Sequence, residues 1–122
     1  MIKTFGDLVK GDSIFQVKGL EVIEFVVVGV KEAKDPRDIA LLLDHPISFP
    51  LMFEKSLVVV RKDYYYWPTG RLFSDKEKAW EWLIEWATDR HKELSKEIDA
   101  LISEFDRLDK FLGDVRKEKE FR

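Results

Sequence analysis

The chain contains no cysteine. That absence removes both a disulfide framework and a thiol nucleophile. Histidine is nearly as scarce, with only His45 and His91. A structural zinc site would therefore rest mainly on carboxylates, which is not the donor set such sites use. Neither a metal nor a cofactor is expected. No run of 18 apolar residues occurs, and Met1-Ile2-Lys3-Thr4-Phe5 lacks the form of a signal peptide. These two absences imply a chain with no membrane partner, working in the cytoplasm. A strong charge of one sign is also missing. Residues 1–73 carry ten basic and ten acidic side chains, so the net charge of −3 arises entirely in residues 74–122. Such a balance brings no counterion-release affinity for DNA or RNA, which disfavours a general nucleic-acid binder.

Catalytic patterns are lacking too. There is no glycine-rich phosphate loop, no paired catalytic carboxylates and no zinc spacing. Asp44-His45 resembles half of a catalytic pair, but neighbours in sequence rarely face each other productively and no Ser or Cys motif accompanies them. The pair reads as a loop turn, no residue is assigned a catalytic role, and the chain is not expected to be an enzyme.

The most informative gap lies between Ser74 and Leu112, which hold no Gly and no Pro. Trp80, Ile84, Ala87, Leu94, Ile98, Leu101, Phe105, Leu108, Leu112 and Val115 recur there at alternating steps of four and three, with His91 the one polar residue in the seam. This is a heptad repeat, the pattern of a helix that packs lengthwise on other helices. Ser74 and Glu77 form a capping-box pattern at its start. Gly113 reads as the C-cap, and residues 114–122 as a frayed tail. Glu93 and Lys96 are spaced to pair on its surface.

Residues 1–73 read differently. Gly6 and Gly11 bracket a turn-rich entry. Ser13–Val17 is a strand, Lys18-Gly19 a tight turn, and Leu20–Lys31 a long strand dense in β-branched residues, with Gly29 marking a bend or bulge. Asp35-Pro36 is a turn and Ile39–Leu43 a buried strand. Asp44-His45-Pro46 and Phe49-Pro50 impose a loop. Leu51-Met52-Phe53 reads as a helical turn or plug. Leu57–Val60 and Tyr64–Trp67 are further strands, and Arg71-Leu72-Phe73 returns from a Pro68–Gly70 turn. Short antiparallel strands without intervening helices imply an α+β chain: a small SH3-like β-barrel followed by one long C-terminal coiled-coil helix.

Length then becomes an argument. A helix of about 39 residues is roughly 58 Å long, whereas a 70-residue barrel is only about 25 Å across. Trp80, Trp82, Leu83 and Trp86 are placed to dock on the barrel. The stripe beyond them, through Ile84, His91, Leu94, Ile98, Leu101, Phe105, Leu108 and Leu112, is left without cover. The cheapest cover is a second copy, so residues 84–115 are expected to form a dimer or higher homo-oligomer. Ile98 between Leu94 and Leu101 favours a parallel dimer. Flanking Ile102 and Phe111 widen the stripe towards trimers, tetramers or antiparallel bundles, and Glu104 facing Asp109 counts against the parallel dimer. His91 reads as a register-setting polar residue rather than a pH switch.

One further group merits a binding hypothesis. Tyr64, Tyr65, Tyr66 and Trp67 lie beside Arg61, Lys62 and Arg71, a combination able to stack bases next to cations. The competing reading is that these rings clasp the Trp-rich start of the helix.

The segments Phe5-Gly-Asp-Leu-Val-Lys-Gly-Asp12 and Phe73-Ser-Asp-Lys-Glu-Lys-Ala79 together resemble those of small proteins encoded by phages and mobile elements. These combine a small barrel with a terminal helix. The resemblance implies a phage-like origin, hence a host cytoplasm, and supplies no catalytic residues. The expected function is a non-enzymatic, homo-oligomeric protein-interaction module, such as a phage accessory protein in virion assembly or inhibition of a host factor. The alternative is a binder of single-stranded nucleic acid or nucleotide through residues 64–67.

Overall fold

Dense β-branched residues and glycine turns come first, and a Gly- and Pro-free repeat follows, so strands precede helix along the chain. The computed structural model describes residues 2–48 and 55–120. A 3-10 turn at Phe5–Asp7 precedes β1 (Ser13–Lys18), β2 (Glu21–Glu32), β3 (Asp38–Ile47), β4 (Lys55–Arg61), β5 (Tyr66–Trp67) and β6 (Leu72–Phe73). One helix, α1 (Lys76–Glu120), follows. The strands form a single antiparallel sheet in the order β4-β3-β2-β1-β6-β5, curled into a half-barrel. The fold is therefore α+β, a barrel-like sheet followed by a single helix, as the sequence implies. The turns expected at Phe49-Pro50 and Leu51–Phe53 lie outside the described residues.

The curl has an identifiable cause. β2 is twelve residues long and serves two neighbours in succession. Its first half pairs with β1, from Ser13 opposite Val26 to Lys18 opposite Glu21; its second half pairs with β3. Between them the register slips at Val27/Gly29, so the bulge anticipated at Gly29 is present. A bulge increases local twist and bends the strand. The β1–β2 turn is Gly19-Leu20, one residue later than expected. Gly19 has φ 61, the positive angle a two-residue hairpin requires at its first central position.

Asp44-His45-Pro46 is a correction. These residues do not form a loop but continue β3 to Ile47. Proline is tolerated because the β3–β4 register shifts between Leu42 and Ile47, leaving Pro46 no ladder partner there. The aromatic strand is likewise shorter than expected, since only Tyr66 and Trp67 join the sheet.

The inner face of the sheet carries the core: Phe5, Leu8, Ile14, Phe25, Val27, Leu41, Val58, Val60 and Leu72 cluster there. The entry segment closes the open side. Phe5 and Gly6 donate backbone hydrogen bonds to Tyr64 O and Lys62 O, both 2.8 Å. Asp7 accepts from the Thr4 amide and hydroxyl, both 3.1 Å. Asp12 accepts from the Val9 amide at 3.0 Å and from Lys3 at 3.3 Å. The Phe5–Asp12 segment that carries the resemblance is thus a strap, held by hydrogen bonds at Phe5, Gly6, Asp7, Gly11 and Asp12.

The helix starts and stops differently from the sequence reading. Asp75, not Ser74, caps it, accepting from the Lys78 amide at 3.1 Å. The Ser74 hydroxyl instead donates to Lys3 O, tying the strap to the foot of the helix. The helix continues through Gly113 to Glu120 rather than ending at a glycine cap. Uninterrupted helix formers on both sides outweigh one glycine, whose cost is only about 1 kcal/mol. The chain divides into two compact units, Met1–Ile84 and Glu85–Arg122.

Candidate functional site

In the first unit, Ala79 and Leu83 are buried with Phe15, Val17 and Phe73, and Trp82 packs partly against them. Of the four residues expected to dock here, Leu83 and Trp82 do so, while Trp80 and Trp86 are exposed.

Beyond Ile84 the helix is a different object. Ile84, Leu94, Ile98, Leu101, Phe105, Leu108 and Leu112 are all exposed, as are the flanking Ile102 and Phe111. Phe105 is 67% exposed and Leu101 63%. His91, in the same seam, is exposed as well. A 45-residue helix is about 68 Å long, and steps of four and three keep these side chains on one side of it for most of that length. Surface charges leave the stripe clear: Arg90 pairs with Glu93 at 3.2 Å, so Glu93 turns to Arg90 rather than to Lys96, and Lys78 pairs with Glu81 at 3.1 Å.

The aromatic group is split by the fold. Tyr66 lies 4.6 Å from Phe73 and 6.5 Å from Trp82, ring centre to ring centre. Trp67 packs against the main core. Tyr64 and Tyr65 remain exposed, with Tyr64 6.0 Å from Trp67. The cations divide as well. Arg61 pairs with Asp38 at 3.1 Å. Arg71 sits 5.1 Å from the centre of the Trp82 ring. Lys62 lines a shallow recess with Arg37, Arg61 and Tyr64. The seven residues thus lie along one winding segment, with the 66 and 71 side chains turned to the helix foot, while Lys62 and Tyr64 meet the strap through their backbone carbonyls.

Asp44 and His45 do meet, contrary to the rule applied to sequence neighbours. His45 Nδ1 lies 2.8 Å from Asp44 Oδ1, and the imidazole stacks on Phe25 at 4.3 Å. Asp44 also accepts from the Val26 amide at 3.0 Å. Desolvation pushes this carboxyl up, but the Val26 amide and His45 outweigh it and hold it below the ordinary aspartate range. Consecutive β residues point to opposite faces, so the contact depends on the irregular end of β3.

Sequence reasoning missed Gln16, the one polar residue inside Ile14-Phe15-Gln16-Val17. A lone amide in an apolar strand was the available signal. It is 3% exposed, and its Nε2 donates to Ser48 O and Gly70 O at 3.0 and 3.1 Å. Among the described residues, no group of three or more potential metal ligands gathers, and no helix is long and apolar enough to cross a membrane. Comparison with known proteins returned no matching family model, no matching curated protein and no matching solved structure.

Proposed function

We propose that this chain is a non-enzymatic interaction module that associates with copies of itself through the stripe from Ile84 to Leu112. The observation that carries the reading is the exposure of that stripe along α1. Covering one such side chain contributes about 1.5–3 kcal/mol. A second copy presents the same stripe, so one kind of surface satisfies both partners. The sheet module is then held at a defined copy number and presents its outer surface to another protein. A phage accessory role, in virion assembly or against a host factor in the host cytoplasm, accords with the strap and helix-foot motifs.

Multi-angle light scattering of the full chain at micromolar concentration tests this. The expected result is a defined multimer that becomes monomeric when Leu101 and Leu108 are both changed to Ser. A stable wild-type monomer overturns it.

A second reading has its own support. Tyr64 and Tyr65 are exposed, and Arg37, Arg61 and Lys62 line a recess with Tyr64 and the carboxylate Asp63. Exposed rings beside cations are the elements of a single-stranded nucleic-acid or nucleotide grip. The ion pairs Arg37–Asp35 and Arg61–Asp38 compete with it. Titration with a single-stranded oligonucleotide at low salt should quench tyrosine and tryptophan fluorescence if this surface binds. Unchanged fluorescence discards the reading.

A further inference from the structure

The two ends of the sheet are finished differently. At one end β5 is only two residues long and is followed by Pro68. A short strand with a proline beside it is a blunted edge. At the other end stands β4, seven residues long, with β3 as its one neighbour among the described residues. From Ser56 to Val60 it carries no charge, no Gly and no Pro. Neither charge nor proline, the usual guards of an edge, protects that run.

The direction of the β4 main chain follows from the pair at its end. Lys62 N donates to Arg37 O at 2.9 Å, so residue 62 faces β3. Hydrogen-bonded positions alternate along an antiparallel pair. Val60 and Val58 therefore face β3 as well, while the amides and carbonyls of Leu57 and Val59 point away from it. Among the described residues, no backbone group from beyond β4 meets them. The side chains alternate in the same phase: Val58 and Val60 are buried, whereas Leu57 and Val59 are 41% and 48% exposed. Across the ladder, Leu57 stands opposite Leu42 and Val59 opposite Ala40. An apolar ledge on the outer face thus borders the open edge. Open main-chain donors and acceptors beside such a ledge are complemented by an extended chain with an apolar residue at every second position.

Charge narrows the choice of chain. Residues 55–62 include three cations and no carboxylate, and Asp63 follows in the turn past the strand. Arg61 is paired with Asp38, and among the described residues no carboxylate pairs with Lys62. A second copy of β4 would bring the same cations and no carboxylate, so it offers this edge no charge partner. We propose that the β4 edge is a docking site for an extended segment of another protein, one with alternating apolar residues and an acidic end. The segment adds a seventh strand to the sheet. It bonds to the main chain at Leu57 and Val59, lays its apolar side chains on the ledge and sets its carboxylate beside Lys62. This deepens the function proposed above by naming the surface through which the sheet module meets another protein. It rests on that part alone and does not depend on self-association through α1.

The test is an amide NMR titration of the full chain with a capped synthetic peptide, Glu-Val-Thr-Val-Thr-Val-Glu. The expected result is saturable shifts at the Leu57 and Val59 amides, with slowed hydrogen exchange there. The same peptide with Lys at both ends should bind about two- to fivefold more weakly, the scale of one solvent-exposed charge pair. Val59→Pro removes an outward N–H and no β3–β4 hydrogen bond, so it should abolish saturation. Leu57→Glu keeps every main-chain donor, and should weaken binding by cutting back the ledge and repelling the acidic end. The proposal is overturned if the acidic peptide fails to saturate in the millimolar range or shifts amides away from β4. It is equally overturned if the lysine-ended peptide binds as tightly, or if either variant, with its spectrum elsewhere unchanged, binds like the parent chain. A chain carrying both Leu101→Ser and Leu108→Ser that still dimerises, with the Leu57 and Val59 amides protected, overturns it in favour of a second copy. Light scattering of the parent chain reads association through α1 separately, so the failure of one is not mistaken for the failure of the other.

Discussion

Leu41 and Leu101 are the same residue in opposite circumstances. Leu41, in β3, is 0% exposed, sealed on the inner face of the sheet. Leu101, midway along α1, is 63% exposed. The sheet module completes its own core, using a bent β2 and the strap at Phe5–Asp7 to cover what six short strands leave open. The outer helix has no such complement among the described residues of its own unit. Equal hydrophobicity is therefore used differently: in the first unit it is enclosed and stabilises the fold, and in the second it lies at the surface, where the proposed self-association would cover it.

The largest effect that sharpens this contrast is Leu41→Ala. Deleting a fully enclosed leucine costs about 2–5 kcal/mol. Denaturant unfolding followed by a sheet-region probe should show that loss at every protein concentration. Leu101→Ala should leave the same transition within about 0.5 kcal/mol, as surface changes do, while weakening assembly in a concentration-dependent way. If Leu41→Ala instead changed the assembled mass and left the sheet transition in place, the division of labour would be reversed.

Glycine gives a second pair. At Gly6 an added Cβ would stand 2.9 Å from Lys62 O and 3.0 Å from Lys62 Cβ. The neighbour is backbone, so it cannot simply rotate away. Gly6→Ala should push the strap off the end of β4, weakening the Phe5–Tyr64 and Gly6–Lys62 hydrogen bonds, at a cost of about 1–3 kcal/mol. The melting temperature of the sheet module reads this directly. At Gly29 the contact is Leu42 Cδ1 at 2.9 Å, the free end of a flexible side chain, so Gly29→Ala should cost less than Gly6→Ala.

Acid should find the same boundary. Asp12, Asp35 and Asp44 all lie in the sheet module and are held below their ordinary value of 3.8. The Val9 amide is the main cause for Asp12; for Asp35 it is the Arg37 guanidinium, 2.8 Å away. A carboxyl depressed by folding contributes stability that is complete above its unfolded value and lost as pH falls through its folded value. The melting temperature of the sheet module should therefore fall progressively as pH drops below about 3.8. Asp35→Asn should flatten the low-pH end of that fall. A curve unchanged by Asp35→Asn would show that the Arg37 contact is too solvated to matter.

How much of this could be read beforehand depended on whether the deciding contacts were local. The heptad stripe, the Gly29 bulge and the sheet-then-helix order follow from periodicity and side-chain shape within one segment. Asp44-His45-Pro46 misled because proline argues for a loop, and only the shifted β3–β4 register makes room for it. Ser74 misled for the same reason: its hydroxyl satisfies the local capping pattern, yet a partner 71 residues away, Lys3 O, takes it. The aromatic segment was visible as a cluster, but which rings turn to the helix foot depends on where β6 places Phe73. Gln16 was the least visible, because the carbonyls that hold its amide, Ser48 O and Gly70 O, come from segments 32 and 54 residues away.

Gly113 offers the smallest effect and the opposite sign to Gly6. Here an added Cβ would meet nothing within 4 Å, and the residue lies inside α1. Glycine in a helix interior pays more backbone entropy than alanine, by about 0.5–1 kcal/mol. Gly113→Ala should therefore raise helical circular dichroism at 222 nm and slightly strengthen assembly, because Leu112 and Val115 beside it become better ordered. The same substitution would then destabilise one unit and stabilise the other. If Gly113→Ala instead lowered helicity or weakened assembly, the glycine would be providing close approach for a neighbouring helix, and the contact between copies would have to run along the Gly113 side rather than along Leu101 and Leu108.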